Sequence, residues 1–162
     1  TYLYESITSK GINTVGYYVG GMKQIDLEET ETKKIVLATY AMAAEALDIK
    51  TLSMLVMASP KTDITQSVGR ILRVKHDNPV IVDIVDSHDI FQRQWLQRKR
   101  FYKKSNYPIR YIRSPDYTDM RIDWENDESW SMLYDPNNKG KSGKRDKPEI
   151  EKGKCMINMG AL

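Results

Sequence analysis

A single cysteine, Cys155, stands among 162 residues, which excludes an internal disulfide framework and a cysteine-rich zinc site. With only two histidines, His76 and His88, a metal centre is not expected either. No stretch approaches the roughly 20 consecutive apolar residues of a membrane span, and the N-terminus lacks the charged-then-apolar order of a signal peptide. A soluble, intracellular protein without a membrane partner is expected. Charge of one sign is also scarce, since 25 basic and 22 acidic residues leave a net +3. That permits a nucleic-acid partner without demanding one, so the distribution of charge carries more information than its sum.

What is present is enough for one globular core: 40% of the residues are hydrophobic. Residues 14–19, β-branched and aromatic, read as a strand that ends at Gly20-Gly21 in a tight turn. Residues 35–39 form a short continuous apolar run of the kind buried on both faces of a parallel sheet, and residues 53–58 and 80–85 repeat its character. A fifth strand is expected at 109–112. Helical composition fills 23–32, 41–47, 63–72 and 88–104, and the first residues (Tyr2, Leu3, Ile7) read as a helix already under way. Strand and helix in alternation predict an α/β domain over residues 1–113, with a mostly parallel sheet flanked by helices. From Ser114 the pattern dissolves. Residues 114–162 are expected to be an irregular extension, which Trp124 and Trp130 could anchor to the domain, with a flexible basic tail in which residues 137–154 carry seven basic and three acidic side chains. The chain opens without Met, so it reads as a piece of a longer protein.

The stretch Gln66-Ser-Val-Gly-Arg-Ile-Leu-Arg73 sorts its residues onto two sides of one helix. At roughly 100° per residue, Gln66, Arg70 and Arg73 fall within about 60° of each other while Ile64, Val68, Ile71 and Leu72 point the opposite way. Two guanidinium forks one turn apart suit a polyphosphate, and Gly69 beside them leaves the backbone open to close approach. Ligands of open α/β sheets bind outside the carboxyl ends of the strands. Gly20-Gly21 follows the first strand, Thr39 closes the second, and Ser59-Pro60-Lys61-Thr62 follows the third, so backbone N–H groups, hydroxyls, a lysine and two arginines are expected on one edge. Each has a plainer reading. The glycines can simply turn the chain, Thr39 can cap the next helix, Gln66 can reach back to the helix start at Asp63, and the arginines can make ordinary surface salt bridges.

These residues carry a resemblance. Residues Ile35 to Ile49 resemble motif V of superfamily 2 helicases and Gln66 to Arg73 resemble motif VI, with a Gly-Gly-Met turn upstream, as in the second RecA-like domain of that superfamily. The likeness is nearest to DEAD-like helicases of large DNA viruses and phages. It covers about residues 1–112, and departs where motif V usually has Gly and this chain has Ala46. The resemblance implies that Arg70 and Arg73 are arginine fingers, that Gln66, Gly69 and Asp48 serve the ATP site, and that Gly20, Gly21, Thr39 and Lys61 hold the DNA or RNA backbone. ATP with Mg²⁺ would be held mainly by an N-terminal RecA-like lobe of the same protein.

No Gly-rich phosphate loop follows a strand here and no acidic run closes one, so the chain by itself is not expected to hydrolyse ATP. Asn138-Lys-Gly-Lys-Ser142 ends like such a loop, but Asp135 occupies the place of its first Gly and no apolar strand precedes it. Residues 88–104 form a basic helix in which Phe91, Trp95, Leu96 and Tyr102 recur at core-facing spacing, with the charges on a solvated face that could also track phosphates. The expected function is the second motor lobe of an ATP-dependent helicase or translocase. A noncatalytic nucleic-acid-binding module is the alternative.

Overall fold

The computed structural model describes residues 2–11, 13–45, 48–71, 76, 78–113, 130–138 and 156–161. It divides the chain into two compact units, Thr1–Thr51 and Leu52–Leu162. The first is built from α1 (Tyr2–Ser9), β1 (Val15–Tyr18), α2 (Gln24–Glu31), β2 (Ile35–Ala38) and α3 (Tyr40–Glu45). Strands β1 and β2 pair in parallel, with Val15 opposite Ile35 and Tyr18 opposite Ala38. A parallel pair needs a crossover, and α2 supplies it.

Alternation along β1 sends Tyr17 and Tyr18 to opposite faces. Tyr17 stacks on Tyr4 of α1 with ring centroids 4.8 Å apart. Tyr18 is buried and donates its hydroxyl to Glu31 Oε1 of α2 at 3.1 Å. Burial, and then the Glu31 acceptor, push its hydroxyl above the usual tyrosine range. Gly16, on the Tyr18 face, explains how α2 sits so close: a Cβ there would lie 2.8 Å from Thr30 Cγ2 and 2.9 Å from Thr30 Oγ1. Thr30 is itself buried.

The second unit holds β3 (Met54–Met57), α4 (Thr65–Ile71), β4 (Val80–Val85), α5 (Asp89–Lys104), β5 (Ile109–Arg113), β6 (Ser131–Tyr134) and β7 (Met156–Ala161). Its five-stranded sheet runs β3-β4-β7-β5-β6. Only β3 and β4 are parallel, with Met57 opposite Asp83. Strand β7 is antiparallel to both β4 and β5, and β6 is antiparallel to β5.

The protein is therefore mixed α/β, and the mostly parallel sheet expected from the sequence is corrected in this unit. The reason is that a strand from the far end of the chain enters between β4 and β5, where a continuous parallel order would have placed them side by side. Strands β6 and β7 lie within residues 114–162, a stretch expected to be irregular; residues 114–129, 139–155 and 162 of it lie outside the described residues. Of the two tryptophans expected as anchors, Trp130 is buried against Val82 and Ile112, and Trp124 lies outside the described residues.

Among the described residues of this unit, Met57, Ile64, Val68, Ile81, Val85, Trp95, Tyr102 and Ile109 are buried as well. The expectation that residues 53–58 are covered on both faces does not hold, because β3 is an edge strand and Met54 and Val56 stand about half exposed. Strand β2 is likewise only half-buried over Ile35–Leu37. On α5 the core-facing positions are Trp95, Arg98 and Tyr102, while Leu96, expected inside, is exposed.

Candidate functional site

In the first unit, the pairing of Tyr18 with Ala38 sets the ends of β1 and β2 side by side. The Gly20-Gly21 turn and Thr39 consequently follow neighbouring strand ends. Gly21 has φ +84°, a conformation that L side chains rarely adopt, and a Cβ at either glycine would meet nothing within 4 Å. The turn needs the freedom of Gly21, and the space around both backbones is open. Thr39 is exposed and caps α3: its Oγ1 accepts from the Met42 N–H at 3.4 Å and its carbonyl from the Ala43 N–H at 2.9 Å. The plainer reading of Thr39 is thus realised, which leaves one hydroxyl lone pair and the O–H for another partner. Asp48 is exposed beyond α3, and Ala46, the departure from motif V, lies outside the described residues.

In the second unit the segment from Ala58 to Ile64 leads from β3 into α4. Asp63 Oδ1 accepts from the Thr65 N–H at 3.0 Å, and this bond holds the Asp63 carboxyl below its usual value. The helix start is thereby capped by Asp63, and Gln66 is exposed. Ile64, Ser67 and Val68 are buried while Gln66 and Gly69 are exposed, the two-sided division expected of this stretch. A Cβ on Gly69 would meet nothing within 4 Å. Arg70 occupies the helical position one turn after Gln66, and Arg73 lies outside the described residues.

Lys61 is half-buried, and its carbonyl is gripped from the next helix. Arg98 Nη1 donates to Lys61 O at 2.7 Å, while its Nε and Nη2 donate to the two oxygens of Asp83 at 2.7 and 2.8 Å. Tyr102 adds its hydroxyl to Asp83 Oδ2 at 3.1 Å. Both charged groups are about 99% buried. Burial pushes the Asp83 carboxyl up, and the Arg98 fork and Tyr102 hydroxyl pull against that. Arg98 reads from sequence as one of the solvated cations of a basic helix. The signal that separates it is Asp83, a lone charge inside the apolar run Val80–Val85, together with the spacing Trp95, Arg98, Tyr102 on one helical face.

Several proteins of large DNA viruses are similar to this chain. An Acanthamoeba polyphaga mimivirus protein named "Putative ATP-dependent RNA helicase" is 37% identical over 133 residues, 79% of this chain and 26% of its own length. An African swine fever virus protein, also named as an ATP-dependent RNA helicase, is 32% identical over 99 residues, 59% of this chain and 19% of its own. An uncharacterized protein of invertebrate iridescent virus 3 is 34% identical over 71 residues, and there the match covers 68% of the relative. This chain belongs to one family with the iridescent virus protein, and it is similar to a part of the two longer proteins named as helicases. It spans about a quarter or less of the helicase-named proteins given above. No family model matches this chain, and no solved structure matches it significantly. No helix among the described residues is long and apolar enough to cross a membrane, and no group of three or more metal-ligating side chains occurs among them.

Proposed function

We propose that this chain is the second, C-terminal RecA-like motor lobe of a superfamily 2 ATP-dependent helicase or translocase. Arg70 and Arg73 act as the arginine fingers, placing fixed positive charge where phosphoryl transfer develops negative charge. Gln66, Gly69 and Asp48 belong to the nucleotide site, and Gly20, Gly21, Thr39 and Lys61 hold the DNA or RNA backbone without reading its sequence. The observation that carries the reading is α4. Its inner face is packed through Ile64, Ser67 and Val68, while its outer face offers Gln66 and a glycine whose open backbone no part of the described chain uses. A glycine inside a helix costs about 1 kcal/mol against alanine, and close approach by a nucleotide or a facing lobe is a reason to keep it.

The residues present fit ATP as one wall of a shared site. Amide and guanidinium donors suit phosphate oxygens, and the resemblance to second lobes implies that the carboxylates for Mg²⁺ stand on the other wall. Mg²⁺ and most of the triphosphate would then be held by the N-terminal lobe, and bound ATP would supply the phosphoryl group whose transfer drives movement between the lobes.

A second reading, a noncatalytic nucleic-acid-binding module, is favoured by one observation: the iridescent virus relative, of which the 71 matched residues are 68%, is only about 100 residues long, too short for two lobes. The test joins the chain to an upstream lobe carrying a phosphate loop and measures nucleic-acid-stimulated ATP hydrolysis. Arg70→Ala and Arg73→Ala are each expected to lower turnover by roughly 10³-fold or more, the scale of an arginine finger. Full turnover in both variants would refute the finger assignment, and a joined wild type without nucleic-acid-stimulated turnover would favour the binding module.

A further inference from the structure

The near-neutral net charge conceals a segregation. Helix α2 carries four acidic residues and no basic one, whereas α5 carries six basic residues and a single acid, Asp89, in its first turn. On α5, Arg98 is consumed by Asp83. The remaining cations divide by helical angle. Taking the buried stripe Trp95, Arg98, Tyr102 as the inner face, Arg93, Gln97, Arg100 and Lys104 fall on the diametrically opposite line at about 100° per residue. All four are exposed.

Along this line the cations are held but not neutralised. Arg93 Nε donates to the Asp89 carbonyl and Arg100 Nη1 to Gln97 Oε1, each at 3.4 Å. Among the described residues none of Arg93, Arg100 and Lys104 has a carboxylate within salt-bridge distance. Beside the line, Lys103 lies over the Tyr134 ring at 5.1 Å. Lys99 is shifted below its usual pKa by burial and then by the Lys103 charge. Like charges one turn apart, as at Arg100 and Lys104, cost a helix a few tenths of a kcal/mol per pair, and α2 shows that this chain does place acidic residues on helices. With 1.5 Å of rise per residue, Arg93 to Lys104 spans about 16 Å of helix, three turns. Such a straight row, without a carboxylate partner among the described residues, suits a linear polyanion better than a compact one.

We propose that the outer face of α5, through Arg93, Arg100 and Lys104 with Lys103 at its flank, is a binding track for the phosphate backbone of single-stranded nucleic acid, separate from the strand-end residues assigned above. Guanidinium and ammonium groups neutralise phosphates and release counterions, and Gln97 within the row can bond to phosphate or sugar oxygen. The contact is independent of base sequence. It is also independent of the arginine-finger assignment, because its readout is binding and not ATP turnover.

The test measures fluorescence anisotropy of a labelled mixed-sequence single-stranded RNA, and separately the DNA of the same sequence, with the 162-residue chain over a range of salt. The triple variant Arg93→Gln, Arg100→Gln, Lys104→Gln is compared with a control of equal charge change on exposed residues elsewhere, Lys10→Gln, Lys34→Gln, Arg113→Gln. All the substituted side chains are exposed, and circular dichroism checks that each variant folds. The α5 variant is expected to bind at least tenfold more weakly near 100 mM salt. Its salt dependence should shallow by about 2 in the slope of log K against log[salt], from about 0.7 per phosphate contact on a single strand. The control is expected to change affinity less than threefold. An α5 variant with unchanged affinity and slope, a control weakened as much as the α5 variant, or a wild-type chain that binds phosphatidylserine vesicles or a poly-glutamate peptide as tightly as RNA and DNA would each overturn the proposal.

Discussion

Replacing Arg98 by Met keeps most of the aliphatic stem but strips three donors from a buried site: the two that reach Asp83 and the one that reaches the Lys61 carbonyl. Asp83 would retain only the Tyr102 hydroxyl. Removing one partner from a buried ion pair costs about 3–5 kcal/mol, because the other charge stays buried without compensation. Against the roughly 5–15 kcal/mol that holds a domain folded, this is a large share, and a unit of this size would lose roughly 10 °C or more in melting temperature. The pH dependence follows from Asp83. Its carboxyl is already raised above 3.8 by burial, and losing the arginine removes the main influence that lowers it. For a carboxyl raised on folding, the folded state takes up the proton more readily, so stability is fully present below the unfolded value and is lost as pH rises through the folded value. The deficit of Arg98→Met relative to wild type should therefore be widest at neutral pH and shrink as pH falls toward 3.8. Urea melts followed by circular dichroism across that range measure it, and Asp83→Asn combined with Arg98→Met should recover part of the loss. A deficit under about 1 kcal/mol at pH 7, or one that does not change with pH, would refute the account of a buried, paired carboxylate.

Gly69→Ala is expected to raise the stability of the chain by about 0.5–1 kcal/mol, since the position is helical and its Cβ meets nothing. The same variant in the joined two-lobe protein should lower ATP turnover, and a variant stabilised with turnover intact would show that nothing approaches that backbone. Gly16→Ala should do the reverse to stability, lowering it by about 1–3 kcal/mol, because the new Cβ falls within 3 Å of the buried Thr30 side chain; combining it with Thr30→Ala should restore much of the loss in a thermal melt.

Much of the element order is legible in the sequence. The apolar run Val80–Val85 is the strand β4, and α2, α5, β1 and β5 start or stop within a residue of their expected limits. Local pattern suffices there because each segment buries one side with its own periodicity. Strand β7 was not legible, since a strand inserted antiparallel between two others takes its backbone partners from distant chain, and the polar residues before it give no warning. Leu96 and Arg98 exchange the places that hydrophobicity assigns them, because α5 faces a carboxylate in β4 and the helix rotates its pairing residue inward. For the candidate site, the two-sided nature of α4 and the turn at Gly21 follow from spacing and residue type alone. That Thr39 is spent on a helix cap and that Asp63 closes the start of α4 are matters of hydrogen-bond direction, which spacing leaves open.

The grip of Arg98 on the Lys61 carbonyl also bears on how this protein's charge should be dissected. Six basic residues on α5 look interchangeable to a charge scan, and neutralising them one at a time would register a loss of nucleic-acid binding at several. At Arg98 the loss would come by another route, through a loosened sheet and a displaced Lys61 loop thirty-seven residues earlier in the chain. A binding map drawn without a parallel stability map would place that residue on the outside of a helix whose inside it holds.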